Sequence, residues 1–467
     1  MVPNAVPATL HFVIMNLNNL QPRLYKTHIT TLLALGLPII VGQLGTIVQG
    51  LADTVMVGHF SAHSLAAAGF VNNVMNLILI FALGYSYSIT PVVGPLQARN
   101  DFSAAGQALR AGLRVNGLMG TILLLIMGIG YFFLGHIGQP EELLPEIRPY
   151  YIIVIISIPF QTLFNAFKQF TDSIGHTRIP MWMLISANAF NIIGNWLLIY
   201  GVGPFPCLGL AGAGISTLLS RIGLVVAMCI MFIHHPVFRP YRQGFVARKD
   251  TKVYSREIHH LGWPLGLQMG METASFSLSA VMQGWIGTPA LAAHQIMCIV
   301  GSMCFMVYYG IGAAVAIRIS HFHGLGDIVN VRRNAFAGYF LILTSGILIG
   351  GTIVALSPHI TSFFTDDARV NAIVMSLILP FILYQIGDGL QINFANSLRA
   401  IADVKPLMKY AFISYIVISL PLSYIFGFIC HGGPAGIWFA FPVALTTAGL
   451  LFMSRFLRKT KITPADK

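Results

Sequence analysis

Residues 35–58 read LGLPIIVGQLGTIVQGLADTVMVG and residues 261–284 read LGWPLGLQMGMETASFSLSAVMQG. At a constant offset of 226 both open on Leu-Gly-x-Pro, Pro38 falls on Pro264 and Gly58 on Gly284. The register then continues without a gap: Leu65-Ala-Ala67 on Leu291-Ala-Ala293, Gly84 on Gly310, Asp101 on Asp327 and Pro180 on Pro406. After a two-residue adjustment Gly209-Leu-Ala-Gly212 meets Gly433-Pro-Ala-Gly436, so the similarity reaches the last helix of each half. Apolar segments share leucine by chance far more readily than proline and glycine at one fixed spacing, and the chain is therefore read as an internal duplication.

The repeated segments are apolar. Of 467 residues 56% are hydrophobic and 9% charged, against roughly 25% charged in ordinary soluble domains, and the mean hydropathy is +0.75. Runs of about 20 apolar residues, enough to cross a hydrocarbon core, recur along the chain and predict helices over 29–57, 64–98, 104–135, 147–171, 180–201, 210–234, 259–284, 290–318, 335–358, 370–398, 406–429 and 434–455. The expected architecture is an all-α polytopic membrane protein: a segment 1–28, an N-lobe 29–234, a basic linker 235–258, a C-lobe 259–455 and a tail 456–467. Six spans per half is an even number. The halves thus enter the bilayer in the same sense, related by an axis along its normal, as in transporters that hold substrate between two lobes.

The net charge of +12 follows from orientation rather than from nucleic-acid binding, and no nucleic-acid partner is expected. All but three of the 27 Lys and Arg residues fall in one set of connections with both termini, which the positive-inside rule assigns to the cytoplasm. The opposite set holds Arg148 and Arg369 with Glu141, Glu142, Glu146, Asp366 and Asp367, and Arg221 is read as the one base inside a span. Residues 1–14 lack the basic start and small-residue cleavage site of a signal peptide, and Met15 is an alternative start. Cys207, Cys229, Cys298, Cys304 and Cys430 form no CxxC pair, so neither a disulfide framework nor a metal site is expected.

Three acids fall well inside spans: Asp53, Glu272 and Asp388. Insertion scales put a central acid at about 2.5–3.5 kcal/mol, so such a residue faces a cavity, pairs with a base or binds a cation. One intramembrane Arg neutralises at most one of them. Proton, sodium ion and organic cation then compete for the same oxygens. Asn191 and Asn195, four apart, share a helix face and offer carbonyl oxygens to a hard cation such as sodium, or hydrogen bonds between helices; Asn188 is on the adjoining turn and Thr217 on the next span. Tyr384 lies one turn before Asp388. Pro38, Pro159, Pro264 and Pro380 interrupt spans as hinges or as packing features. The 32 Phe and 19 Met residues can line a cation pocket or face lipid. His59, His63 and His294 are read as loop or helix-end residues. No HExxH, nucleophile elbow or phosphate loop occurs, and the chain is not expected to be an enzyme or to carry a cofactor.

In Gln49-Gly-Leu-Ala-Asp53-Thr-Val-Met-Val-Gly58, Met271-Glu272-Thr273, Ala292-Ala-His294-Gln295, Tyr384-Gln-Ile-Gly-Asp388 and Ser397-Leu-Arg399 the chain resembles the multidrug and toxic compound extrusion (MATE) transporters, in their NorM-like bacterial branch. The resemblance covers almost the whole sequence. It implies a V-shaped pair of six-helix bundles that open alternately to either side, and a cation site in each lobe. On this pattern Asp53, Asn191, Asn195 and Thr217 match the N-lobe site, and Glu272, Asp388 and Tyr384 the C-lobe site, with sodium ion or proton as the coupling ion. The expected function is antiport in the bacterial inner membrane by a monomer exporting cationic or amphipathic drug-like molecules, with Asp53, Glu272 and Asp388 holding the cargo. The competing expectation is a lipid or lipid-linked oligosaccharide flippase, which wants a basic cavity.

Overall fold

In a bilayer a backbone amide finds no acceptor outside its own chain, so apolar runs become helices. The computed structural model describes residues 22–136, 140–247, 251–360 and 367–462. Residues 1–21, with Met15, and Arg248, Lys249, Asp366 and 463–467 lie outside the described residues. Twelve helical segments of membrane length follow one another: α1 (Pro22–Phe60), α2 (Ala62–Ala98), α3 (Phe102–Tyr131), α4 (Glu141–Ser173), α5 (Arg178–Tyr200), α6 (Gly209–His234), α7 (Lys252–Ile286), α8 (Thr288–Gly324), α9 (Ile328–Ile360), α10 (Ala368–Ala400), α11 (Val404–Ile429) and α12 (Gly433–Lys459).

All but one of these are long and apolar enough to cross a membrane. The exception, α7, has 35 residues but spends them on Gln268, Glu272, Thr273, Ser275, Ser277, Ser279 and Gln283. Such a helix is stable in a bilayer only with its polar face turned to protein. Several boundaries differ from the sequence reading. Helix α7 begins at Lys252, so residues 252–258 of the expected linker are helical; α8 runs on to Gly324 and α9 starts at Ile328. Basic residues had marked these stretches as loops, yet a helix continues into the aqueous boundary as long as no turn residue stops it. The linker also contains a helix, Arg239–Val246, tight against α3: a Cβ on Gly106 would meet the Tyr241 carbonyl, and one on Gly244 the Ser103 backbone. Helix α4 is broken at Ser157, just ahead of Pro159.

The duplication appears in three dimensions as a pseudo-two-fold contact. Gly36 of α1 abuts Gly310 of α8, where a Cβ would lie 3.2 Å from the carbonyl oxygen. Their equivalents at the 226-residue offset are Gly262 of α7 and Gly84 of α2. These make the matching contact: a Cβ on Gly84 would sit 2.8 Å from the Leu265 carbonyl, and one on Gly262 2.7 Å from the Tyr85 ring. Lipid tails are as apolar as leucine, so close backbone approach at small residues is what holds such helices together. Equivalent caps repeat as well. Asp101 accepts the Ala104 N–H and Asp327 the Asn330 N–H, each just after a left-handed residue, Asn100 or Gly326.

One apolar cluster, with Leu32, Ile40, Val92, Leu265, Tyr309 and Ile311, joins the lobes. Separate clusters fill the N-lobe around Val71, Met75 and Tyr151 and the C-lobe around Val374, Phe381 and Trp438. The joining cluster sits toward the side of the chain termini, where polar bonds also cross: Tyr87 donates to Tyr309 (2.8 Å), Ser320 to the Thr90 carbonyl (3.0 Å) and Arg99 to the Gly324 carbonyl (2.9 Å). On that side the lobes are sealed.

Candidate functional site

Beyond the seal, toward the far side, the lobes part around a cavity of about 770 Å³. Its walls come from the middle and far ends of helices: Gln43, Thr46 and Gln49 of α1, Asn73 and Asn76 of α2, Glu272 and Phe276 of α7, His294 and Phe305 of α8, Tyr384 of α10 and Trp438 of α12. The polar face that makes α7 too hydrophilic for lipid is the one that carries Glu272 to this wall.

In the N-lobe the four expected residues come together. Asn195 and Asn191, one turn apart on α5, reach toward α1 and α6. Asn195 donates to Asp53 at 2.5 Å. The Asn191 amide satisfies both its ends when its nitrogen donates to Asp53 (2.9 Å) and its oxygen accepts the Thr217 backbone N–H (3.3 Å). The Asn195 carbonyl oxygen is buried and accepts no hydrogen bond. Arg221, one turn after Thr217, interacts electrostatically with Asp53 and donates to Ser157 at 2.6 Å. Asn188 lines the cavity close by.

In the C-lobe Glu272 accepts N–H bonds from Gln268, one turn earlier on α7 (3.2 Å), and from Gln391 of α10 (3.3 Å). Asp388 is buried behind it with Tyr384 as a hydrogen-bonding neighbour, near enough to Glu272 for the two charges to interact. Three oxygens here, from Gln268, Gln391 and Asp388 (Oδ2), are buried without a hydrogen-bond donor. Buried acceptors almost always have a partner, so a cluster of unpartnered oxygens beside two carboxylates has the chemistry of a site for a hard cation or a proton. No ion pair among the described residues involves Asp53, Glu272 or Asp388. No group of three or more His, Cys, Asp or Glu residues there is arranged for a metal ion.

Three expectations need correction. Arg221 is not the one base inside a span: Lys168 of α4 is buried and ion-paired at 2.8 Å to Asp172, itself a buried acid beyond the three expected. Arg399 at the end of α10 is buried too, its guanidinium 4.1 Å from the Tyr87 ring centre. Reading Lys168 as cytoplasmic overlooked the i, i+4 pairing that lets a base and an acid share a helix interior. His294 is not at a helix end; it is buried in α8, against Trp438 and Cys298. His59 and His63 do lie at helix ends. The sequence reading also missed Gln268 and Gln391, although Gln268 stands one turn from Glu272 and that spacing was available.

The MatE family profile matches the chain twice, over residues 38–197 and 264–425. The two matches begin at Pro38 and Pro264, the same 226 residues apart as the repeat. The protein named probable multidrug resistance protein NorM from Rhizobium meliloti (strain 1021) is 30% identical over 472 residues, covering 98% of this chain and 99% of its own. Its namesake from Mesorhizobium japonicum is 30% identical over 456 residues, covering 94% and 96%. Among solved structures, the eukaryotic MATE transporter AtDTX14 superposes with a TM-score of 0.84 at 15% identity, over 94% of this chain and 99% of that one. An outward-facing multidrug resistance MATE family transporter gives 0.83 at 16%, over 93% and 97%; identities this low speak to the fold alone. The duplicated six-helix lobes, the doubled profile match and the near-full-length relatives agree, and the chain belongs to the MatE family of multidrug and toxic compound extrusion transporters, with the NorM proteins as its relatives.

Proposed function

We propose that this protein is an antiporter that exports organic cations and drug-like amphiphiles from the cytoplasm in exchange for sodium ions or protons. The observation that carries this reading is Glu272 on the cavity wall with Asp388 behind it, two carboxylates beside unpartnered oxygens with no base at ion-pair distance, Arg399 acting on Glu272 only through its charge. A cation reaching the cavity is drawn to these oxygens, and so is the coupling ion. With the sealed side cytoplasmic, as the distribution of Lys and Arg favours, the structure corresponds to an outward-open state. An external ion then binds the carboxylates, weakens their hold on the cargo and releases it outward. The two states shift only by the difference in ligand affinity between them. Multidrug resistance proteins named NorM are the relatives in question, which supports export as the direction.

The flippase reading draws on Lys168 and Arg221, which both line the cavity. Each already has an acid beside it, Asp172 and Asp53 respectively, which leaves little net positive charge for a phosphate headgroup. Proteoliposomes decide between the two. A fluorescent organic cation is loaded, a sodium gradient or a pH gradient is imposed separately, and Asp53→Asn, Glu272→Gln and Asp388→Asn are run beside the parent. One gradient drives the parent and the variants fail if the proposal is right. Transport indifferent to both gradients, with lipid scrambling in the same vesicles, replaces it with the flippase.

A further inference from the structure

Between α9 and α10 the C-lobe leaves a groove of about 220 Å³ that shares no residue with the cavity between the lobes. Its walls are apolar, with Ile342, Ile347, Val354 and Ile386. Glycine opens it: a Cβ on Gly350 or Gly351 would meet nothing within 4 Å. Ile347, Val354 and Ile386 are exposed at the rim, on a surface that a bilayer covers. Gln385, near the middle of α10, lines the groove and is only 4% exposed, yet neither its amide oxygen nor its amide nitrogen makes a hydrogen bond. The Cys304 thiol beside it donates to the Val300 carbonyl instead (3.3 Å). The Tyr308 hydroxyl is buried without a partner as well, 2.8 Å from where a Cβ on Gly346 of the groove wall would lie. No charged residue among the described ones lines the groove.

We propose that this groove is a bilayer-side binding site for a single-chain lipid with a neutral head that donates and accepts through adjacent atoms, the un-ionised carboxyl of a fatty acid. Buried polar groups are almost always paired, and hydrocarbon tails offer an amide no partner. The Gln385 amide presents an acceptor and a donor side by side. A protonated carboxyl complements both, its O–H donating to the amide oxygen and its carbonyl accepting from the amide nitrogen. An ionised head is excluded by the cost of an unpaired charge in hydrocarbon. The volume is below the roughly 300–1,000 Å³ of sites for drug-sized molecules, which suits an alkyl chain better than fused rings. Asp388 stands three residues further along α10, so the groove lies against the turn that carries the C-lobe acid. The assignment is independent of the cargo and direction of transport.

Photolabelling tests this with the full chain in phosphatidylcholine nanodiscs at mildly acidic pH. The probe is octadecanoic acid with a diazirine in its chain, and adducts are mapped by peptide mass spectrometry. The expected labels fall on Tyr339–Val354 and Ile382–Gly389 and saturate with probe. Unlabelled octadecanoic acid and octadecanamide, whose heads donate and accept, displace the probe from these segments. Methyl octadecanoate, which only accepts, does not, and this comparison needs no variant to fold. Gln385→Leu raises the concentration of octadecanoic acid needed for displacement by about ten-fold, the loss of two neutral hydrogen bonds. Gly350→Leu fills the groove where a Cβ meets no neighbour and abolishes the label there. Displacement by the methyl ester as readily as by the acid, or an unchanged concentration in Gln385→Leu, overturns the assignment. Labels spread evenly over lipid-facing helices and resistant to competition do the same, since they report bulk lipid only.

Discussion

A carboxylate inside a bilayer is held there by what surrounds it, and Asp53 is held by amides. The 2.5 Å bond from Asn195 stabilises its charge, and the same side chain keeps a buried carbonyl oxygen without a partner. If the N-lobe group binds the coupling ion, Asn195→Ala removes donor and ligand at once. A hydrogen bond to a charged group contributes about 1.5–3 kcal/mol, so the variant needs roughly ten-fold or more of the coupling ion for half-maximal transport. Asn116→Ala, which removes a buried asparagine bonded within α3 to the Gly112 carbonyl, changes that concentration little; equal effects of the two would reduce Asn195 to a packing residue. Gln391→Leu belongs to the same class. It takes one N–H from Glu272 and an unpartnered oxygen from the cluster, and ion dependence again shifts by several-fold if the cluster binds the ion. Asp53, Glu272 and Asp388 were legible in the sequence because a charge in an apolar run is conspicuous. Gln391 was not, since a neutral amide on a helix is unremarkable until folding puts it 3.3 Å from a carboxylate 119 residues away.

At the level of helices the paired glycines matter more than the apolar surface. In lipid there is no water to expel, and α1 with α8, and α2 with α7, approach as closely as Gly36, Gly84, Gly262 and Gly310 permit. Gly310→Val sets a branched side chain against Ile40 and within 3.1 Å of the Gly36 carbonyl. Overpacking of this kind costs about 1–3 kcal/mol, and it falls on the state in which these helices touch. The expected outcome is a protein that still inserts and purifies but has lost most of its transport; undiminished turnover shows that the contact yields freely. Gly84→Val, its repeat equivalent, does the same. The repeat made these glycines visible in the sequence as an alignment, without saying that they touch across the lobes. The boundary of α7 was missed because its initial residues, Lys252 to Ile258, are too charged to count as membrane-spanning and are helical all the same.

On the export reading the molecule as a whole opens on the side that is now sealed, and the seal is polar as well as apolar. Between the lobes Tyr87 donates to Tyr309, and Arg399 lies 4.1 Å over the Tyr87 ring while donating to Asn396. These groups enclose a small void of about 20 Å³, with Ala313 and Ala316 of α8 on its wall. Tyr87→Phe removes one hydrogen bond, worth about 1 kcal/mol. Arg399→Met removes a desolvated cation–π contact worth about 2 kcal/mol. Both losses fall on the sealed state, so both raise the population open to the terminal side, by roughly five-fold and thirty-fold. Because the two residues share the Tyr87 ring, their effects depart from additivity in the double variant. A cysteine placed at Ala313 in a chain freed of its native thiols reports the opening. Its labelling by a water-soluble maleimide from the terminal side is slow in the parent and speeds up in the order Tyr87→Phe, Arg399→Met. If labelling keeps the parent's rate in both variants, the closure belongs to the glycine contacts and the apolar cluster alone, and the tyrosines and Arg399 merely fill the space between.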